Sequence, residues 1–254
     1  METMGLSPTF WNGKRVLLTG HTGFKGSWLS LWLQSLGAQV SGFALAPATE
    51  PNLFELARVG EGMDDRRGDL RDLGALLELI AETEPEIVLH LAAQPLVREA
   101  YRDPLGTYSS NVMGTLNLLE AIRQVGGVSA CVLVTTDKVY ANQEWAWPYR
   151  ENEALGGHDP YSSSKACCEL LAQSYVASVF SARALRCPWP GRGDCAGRQC
   201  PWRRRLFAGA TDSRCAARLV GERAGDLALS TGRAPLAACI GAAGGLSAIG
   251  RGAL

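Results

Sequence analysis

The 254-residue chain lacks any run of about 18 apolar residues, which excludes a hydrophobic membrane-spanning helix. Met1 to Trp11 has neither the basic start nor the apolar stretch of a signal peptide, so a cytoplasmic location is expected. Eight cysteines are present, but no Cys-x-x-Cys pair and no histidine beyond His158. Neither a zinc site, nor any other metal centre, nor a disulfide framework is therefore expected. Cys131, Cys167 and Cys168 sit in apolar surroundings and read as small core side chains. Residues 181–254 have no lysine, asparagine, histidine, tyrosine or methionine, yet hold twelve arginines and twelve glycines. Formal charge is zero, but the two parts disagree: 13 Lys+Arg against 21 Asp+Glu in residues 1–180, and 12 against 4 afterwards.

What is present centres on Val16-Leu17-Leu18-Thr19-Gly20-His21-Thr22-Gly23-Phe24-Lys25-Gly26. A short apolar run meets three glycines, and Phe24, Trp28, Leu31, Trp32 and Leu36 then recur at helical spacing. Such a strand, turn and helix presents free N-terminal amides to a pyrophosphate. Gly20 would permit the turn, Gly23 the approach of a diphosphate, and Gly26 close packing of helix on strand. Dinucleotide binding is the expectation.

Gln39 to Leu45 reads as a second strand, ending in Ala44-Leu45-Ala46-Pro47 with neither an acid nor an arginine to choose between NAD and NADP. A weakly marked third strand precedes Gly68-Asp69-Leu70-Arg71-Asp72, and Leu73 to Glu82 has helical periodicity. Ile87 to Leu91 is a buried strand opening into Ala92-Ala93-Gln94-Pro95, small residues that let a cofactor pass. Pro104 to Val125 reads as one long helix, Ala130 to Thr135 as another buried strand, and Tyr161 to about Val179 as a helix. This alternation predicts an α/β fold: a doubly wound parallel sheet with ligands at the carboxyl ends of its strands.

Two groups carry chemistry there. Tyr161 and Lys165 are four apart, hence on one helix face, and a lysine near a phenol favours phenolate, a base for a sugar hydroxyl. Thr136-Asp137-Lys138 follows a buried strand directly.

The glycine turn, the Tyr-x-x-x-Lys pair and their separation resemble the extended short-chain dehydrogenases/reductases that act on nucleotide sugars. Within that family, Thr19 to Trp28, Tyr149 to Asn152 and Leu155 to Lys165 are similar to CDP-glucose 4,6-dehydratases. The likeness covers residues 10 to about 180 and implies a Rossmann-like domain over 10–180 that holds NAD. The cofactor set it implies is Gly20, Thr22, Gly23, Phe24, Gly26, Asp69, Leu70, Ala92, Ala93, Gln94, Asn111, Thr135, Tyr161 and Lys165. The catalytic set is Thr136, Asp137, Lys138, Tyr161 and Lys165. The substrate implied is CDP-glucose or a related nucleotide sugar, the product a 4-dehydro-6-deoxy sugar for lipopolysaccharide precursors, and the assembly a homodimer. Where sugar-nucleotide dehydratases carry Thr-Asp-Glu, this chain has Lys138 in the Glu place. A lysine base needs a lowered pKa. An epimerase of the same family and a non-catalytic NAD-binding remnant are the rival readings.

The resemblance also requires a strand, a glycine-rich acidic segment and a substrate domain after residue 180, and none is written there. Trp202-Arg203-Arg204-Arg205 can be encoded TGG CGG CGG CGA, which one base later gives three glycines and, before a pyrimidine, an aspartate. Gly193 to Cys200, Thr211 to Arg214 and Pro235 to Ser247 yield family-like text in that same frame. A frameshift near residue 180 is therefore inferred, in preference to a basic tail for nucleic acid. The expectations that follow are little packed structure beyond about residue 190, a scrambled substrate domain and an unpaired edge on the sheet.

Overall fold

The computed structural model describes residues 8–180 and the strand Leu206–Gly209. Five strands alternate with helices in the expected way, and a sixth follows them: β1 Arg15–Thr19, β2 Gln39–Ala44, β3 Asp64–Arg67, β4 Ile87–His90, β5 Ala130–Leu133 and β6 Leu206–Gly209. The helices are α1 Pro8–Trp11, α2 Phe24–Ser35, α3 Leu53–Leu56, α4 Leu73–Thr83, α5 Val97–Arg102, α6 Pro104–Tyr108, α7 Gly114–Val125 and α8 Pro160–Ser174. All neighbouring strands run parallel in the order β3-β2-β1-β4-β5-β6. The chain thus builds outward from β1 to β3, then returns to lay β4 on the other side of β1. That reversal opens a crevice at the carboxyl ends of β1 and β4.

Period-two alternation sends Leu17, Val88, Cys131 and Leu133 to one face, against Leu76, Leu79 and Ile80 of α4 and Leu118, Leu119 and Ile122 of α7. Val16, Leu18, Ile87 and Leu89 face the other way, against Trp11 and Leu29 and Leu33 of α2. Strands buried on both faces read as continuous apolar runs, which is why β1, β4 and β5 are legible in the sequence. β3 is Asp-Asp-Arg-Arg, largely exposed, and pairs with β2 alone among the described strands. A charged edge discourages pairing with other chains and leaves no hydrophobic pattern to read.

Local chemistry sets the helix starts. The Asp72 carboxylate accepts from the Ala75 amide at the head of α4, and Asp159 caps α8 by accepting from Ser162, with Pro160 in the first turn.

Two expectations gain detail and a third needs correction. The buried face of α2 is Gly26, Ser27, Leu29, Ser30 and Leu33, whereas Phe24 and Trp28 are exposed. Trp32 and Leu36 of the apolar pattern pack against the core, while small residues meet the strand and allow close approach. Pro104 to Val125 is helical throughout, widened between α6 and α7 by a π-type turn, Ser109–Met113. Finally, the outer edge of β5 is paired. Leu206–Gly209 runs parallel beside it, Cys131 opposite Phe207. The remaining expectations about residues 181–254 lie outside the described residues.

Candidate functional site

The glycine turn does three distinct things. Gly20 has φ +77, and a Cβ there would lie 2.6 Å from the Ala92 nitrogen, so β1 and β4 could not come together around any larger residue. A Cβ at Gly26 would lie 2.1 Å from the Gly20 carbonyl oxygen, which fixes how tightly α2 sits on the turn. Gly23 differs from both. It is exposed, and its nearest neighbour to a Cβ would be the Gly20 oxygen at an ordinary 3.4 Å. Internal packing leaves that side open. No side chain caps α2, so its first amides are left to an outside acceptor. An open glycine face at an uncapped helix start fits the diphosphate of a dinucleotide. The Thr22 hydroxyl donates to the Leu45 carbonyl at 3.0 Å and ties the turn to the end of β2.

The other proposed cofactor residues gather at the same end of the sheet. Asp69 is held by Arg71 through both carboxylate oxygens, and those bonds lower its pKa. Leu70 is buried, and its carbonyl accepts from the Asn117 amide at 3.1 Å. Ala92 and Ala93 line the half-buried exit of β4. The Gln94 amide donates to Asn111 Oδ1 at 2.7 Å, and Asn111 Nδ2 donates to Ser164 Oγ on α8 at 2.9 Å. Asn111 can reach both because the wide turn Ser109–Met113 swells the helix at that point.

The candidate acid–base groups lie just past the carboxyl end of β5 and on α8. Thr136 caps the short turn Asp137–Val139, and its side chain acts on the Tyr161 phenol, favouring the phenolate. The structure thus brings Thr136 and Tyr161 together across two elements far apart in sequence. Asp137 accepts from the Thr136 hydroxyl at 3.1 Å, and both Asp137 and Lys138 are exposed. The described residues do not supply Lys138 with the burial that a lysine base calls for. Burial raises the Tyr161 pKa; the Thr136 side chain works against this, and the negative charge of Asp137 adds to it. The expected lowering by Lys165 is not found. Lys165 is itself buried, its pKa lowered by that burial, and its ammonium donates to the Val134 carbonyl at 3.2 Å.

Sequence reasoning missed a buried polar relay behind the crevice. The Thr115 hydroxyl donates to the Asn111 carbonyl at 2.6 Å, so its oxygen accepts from His90 Nε2 at 3.0 Å. His90 Nδ1 then accepts from the Thr19 hydroxyl at 2.7 Å, and the Ala92 amide donates to the Thr19 oxygen at 3.3 Å. A histidine inside the apolar run of β4 was the available signal, since a buried polar group needs partners. His21 is a second miss. Its buried ring fills the place of a side chain at Gly42, and Nε2 lies 2.7 Å from Asp65 Oδ1.

Burial, with the charge of Lys165, depresses the His90 pKa to about 3. The unfolded chain takes up this proton from its ordinary 6.5 downward, while the folded chain resists until about 3. Stability from this group is therefore whole above pH 6.5 and is lost as the pH falls through that window. His90→Gln should shrink the loss of stability between about pH 7 and about pH 5 by about 2 kcal/mol. Urea unfolding at the two pH values measures it, and equal losses in both proteins would rule His90 out as the titrating group.

A family model described as GDP-mannose 4,6 dehydratase matches residues 17–184. The chain belongs to this family. As a member of the GDP-mannose 4,6-dehydratase family, it is 56% identical over 176 residues to a CDP-glucose 4,6-dehydratase of Salmonella typhimurium, covering 69% of this chain and 49% of that protein. A dTDP-glucose 4,6-dehydratase of Mycolicibacterium smegmatis is 34% identical over 169 residues, 65% of this chain and 49% of the relative. The chain thus spans about half the length of these relatives. Among solved structures, a UDP-glucose 4-epimerase from Brucella ovis in complex with NAD superposes with TM-score 0.58 at 26% identity, over 65% of this chain and 49% of the other. A dTDP-glucose 4,6-dehydratase from Streptomyces venezuelae with NAD and DAU bound gives 0.57 at 27%, over 65% and 52%. The family match ends at residue 184, close to where the composition changes.

Proposed function

We propose that the chain carries the cofactor-binding and acid–base half of a CDP-glucose 4,6-dehydratase, a hydro-lyase that uses NAD. The observation that carries this reading is the placing of Thr136, Asp137 and Lys138 just past the carboxyl end of β5, with the Thr136 side chain acting on the Tyr161 phenol of α8. Gly20, Gly23, Gly26 and the free start of α2 would hold the diphosphate, with Asp69, Leu70, Ala92, Ala93, Gln94 and Asn111 along the rest of the cofactor. When bound, NAD supplies the hydride acceptor for C4 of the glucose and the hydride donor for C6.

The chain's own residues handle the protons. Tyr161 takes the O4 proton while Thr136 holds that oxygen, which leaves a ketone at C4. The ketone acidifies the C5 proton, which Lys138 removes, and Asp137 protonates the departing C6 hydroxyl as water leaves. A phenol with raised proton affinity is a poor source of phenolate, and the Thr136 side chain is the described group that works against the rise.

The identity with the Salmonella relative supports the choice of CDP-glucose. The end of the family match at residue 184 supports reading residues 181–254 as translated out of frame. No helix among the described residues is long and apolar enough to cross a membrane, and a cytoplasmic homodimer making deoxysugar precursors of lipopolysaccharide is part of the same proposal.

Shifting the frame by one base near codon 180 tests the whole reading. The restored protein should convert CDP-glucose to its 4-dehydro-6-deoxy product, and the chain as written should not. Dehydration by the chain as written, or none by the restored protein, would sink the proposal. Epimerase relatives and neighbours favour a second reading, in which hydride returns to C4 and no water is lost. Recovery of a C4 epimer would decide for it.

A further inference from the structure

Glu169 is a buried titratable group that this chemistry does not use. It is 2% exposed on α8, one helical turn beyond Lys165, which is 4% exposed. Residues four apart share a helix face. Both side chains reach the same short segment: Lys165 Nζ donates to the Val134 carbonyl, and Glu169 Oε1 accepts from the Thr135 hydroxyl. The very next residue is Thr136, whose side chain acts on the Tyr161 phenol. α8 therefore grips the carboxyl end of β5 at two consecutive residues, and the same helix bears Tyr161.

A hydrogen-bond anchor alone would not require a carboxyl group, since a glutamine would accept from Thr135 equally well. Burying an acid is costly unless an opposite charge accompanies it. Lys165 is that charge, and its neighbours explain why it needs one. Facing Lys165 are His90 from β4, held neutral, and Cys168 and Glu169 from its own helix. Facing Glu169 are Lys165, Cys168 and the Thr135 hydroxyl. Among these, Cys168 supports the charge on Lys165 first and Glu169 next, and Glu169 is the carboxyl group.

We propose that Glu169 is a positioning residue that keeps Lys165 charged and holds the Val134–Thr136 segment in register with Tyr161. This rests on the reading of Tyr161 and Lys165 given above. Burial lowers the Lys165 pKa and raises that of Glu169, and each group pulls the other back toward its charged form. Loss of the carboxylate would let Lys165 shed its proton sooner, and would free Thr135 from α8.

The chain has only four lysines, Lys14, Lys25, Lys138 and Lys165, so NMR of the full chain labelled with carbon-13 at lysine Cε gives few signals. Loss of one signal in Lys165→Arg assigns it. In Glu169→Gln the Lys165 titration midpoint should fall by about one pH unit or more, with Lys14 unmoved. Thr135→Val should lower it less, because the carboxylate loses its hydroxyl donor, while Thr135→Ser should restore the wild-type value. An unchanged Lys165 midpoint in Glu169→Gln overturns the proposal. If that variant does not fold, an unchanged midpoint in Thr135→Val does so. The titration needs neither NAD nor a nucleotide sugar, so a failure of the dehydratase reading would show separately, as absent turnover.

Discussion

Gly23→Val should fold normally and lose NAD affinity by at least about 100-fold, roughly 2.7 kcal/mol. The two parts of that outcome have separate causes. A Cβ at Gly23 meets nothing closer than an ordinary contact at 3.4 Å, so the turn tolerates it. A branched side chain would nevertheless stand over the open amides of α2, where the diphosphate fits. Gly26→Ala is the contrasting control. Its Cβ would lie 2.1 Å from the Gly20 oxygen, so α2 must shift, at a cost of about 1–3 kcal/mol in stability. Thermal unfolding and NAD titration on both variants separate the roles. Unchanged affinity in a folded Gly23→Val protein would refute the assignment of this turn to the cofactor.

The second large effect belongs to Tyr161. In the frame-restored protein, Tyr161→Phe removes the O4 base and should slow hydride transfer by about 100- to 10,000-fold. Lys138→Ala and Asp137→Asn act later. They should permit oxidation at C4 and stall loss of water, so absorbance from reduced nicotinamide and a 4-keto sugar accumulate together. Rapid-mixing absorbance on adding CDP-glucose reads the first step, and product analysis reads the second. Normal dehydration by Lys138→Ala would show that another group removes the C5 proton. That outcome is a real test, because Lys138 is exposed in the described structure.

The contrast between Gly23 and Gly26 shows how far a motif reaches. The sequence places three glycines at the right spacing between an apolar strand and a helix, and that alone sets the turn and the parallel α/β class. The reason is local: backbone conformation and burial of β1, β4 and β5 on both faces are written into neighbouring residues. Tyr161, Lys165 and Thr136 were legible for the same reason, since helical spacing and a strand end are short-range facts.

What the sequence could not decide depended on contacts across the chain. The charged edge strand β3 has no pattern because one neighbour and solvent meet it. Apolar spacing did not single out the buried stripe of α2, because close packing favours small residues there over the larger Phe24 and Trp28. The direction of the Tyr161 shift followed from burial and from Asp137, and Lys165 turned out to be anchored to Val134. The His90 relay and the Glu169–Thr135 bond join residues 25 and 34 positions apart, so only the folded sheet brings them together. Composition determined by sequence alone that residues 181–254 differ from the rest, while the tertiary structure decided that Leu206–Gly209 pairs with β5, because backbone hydrogen bonds can form whatever the side chains are.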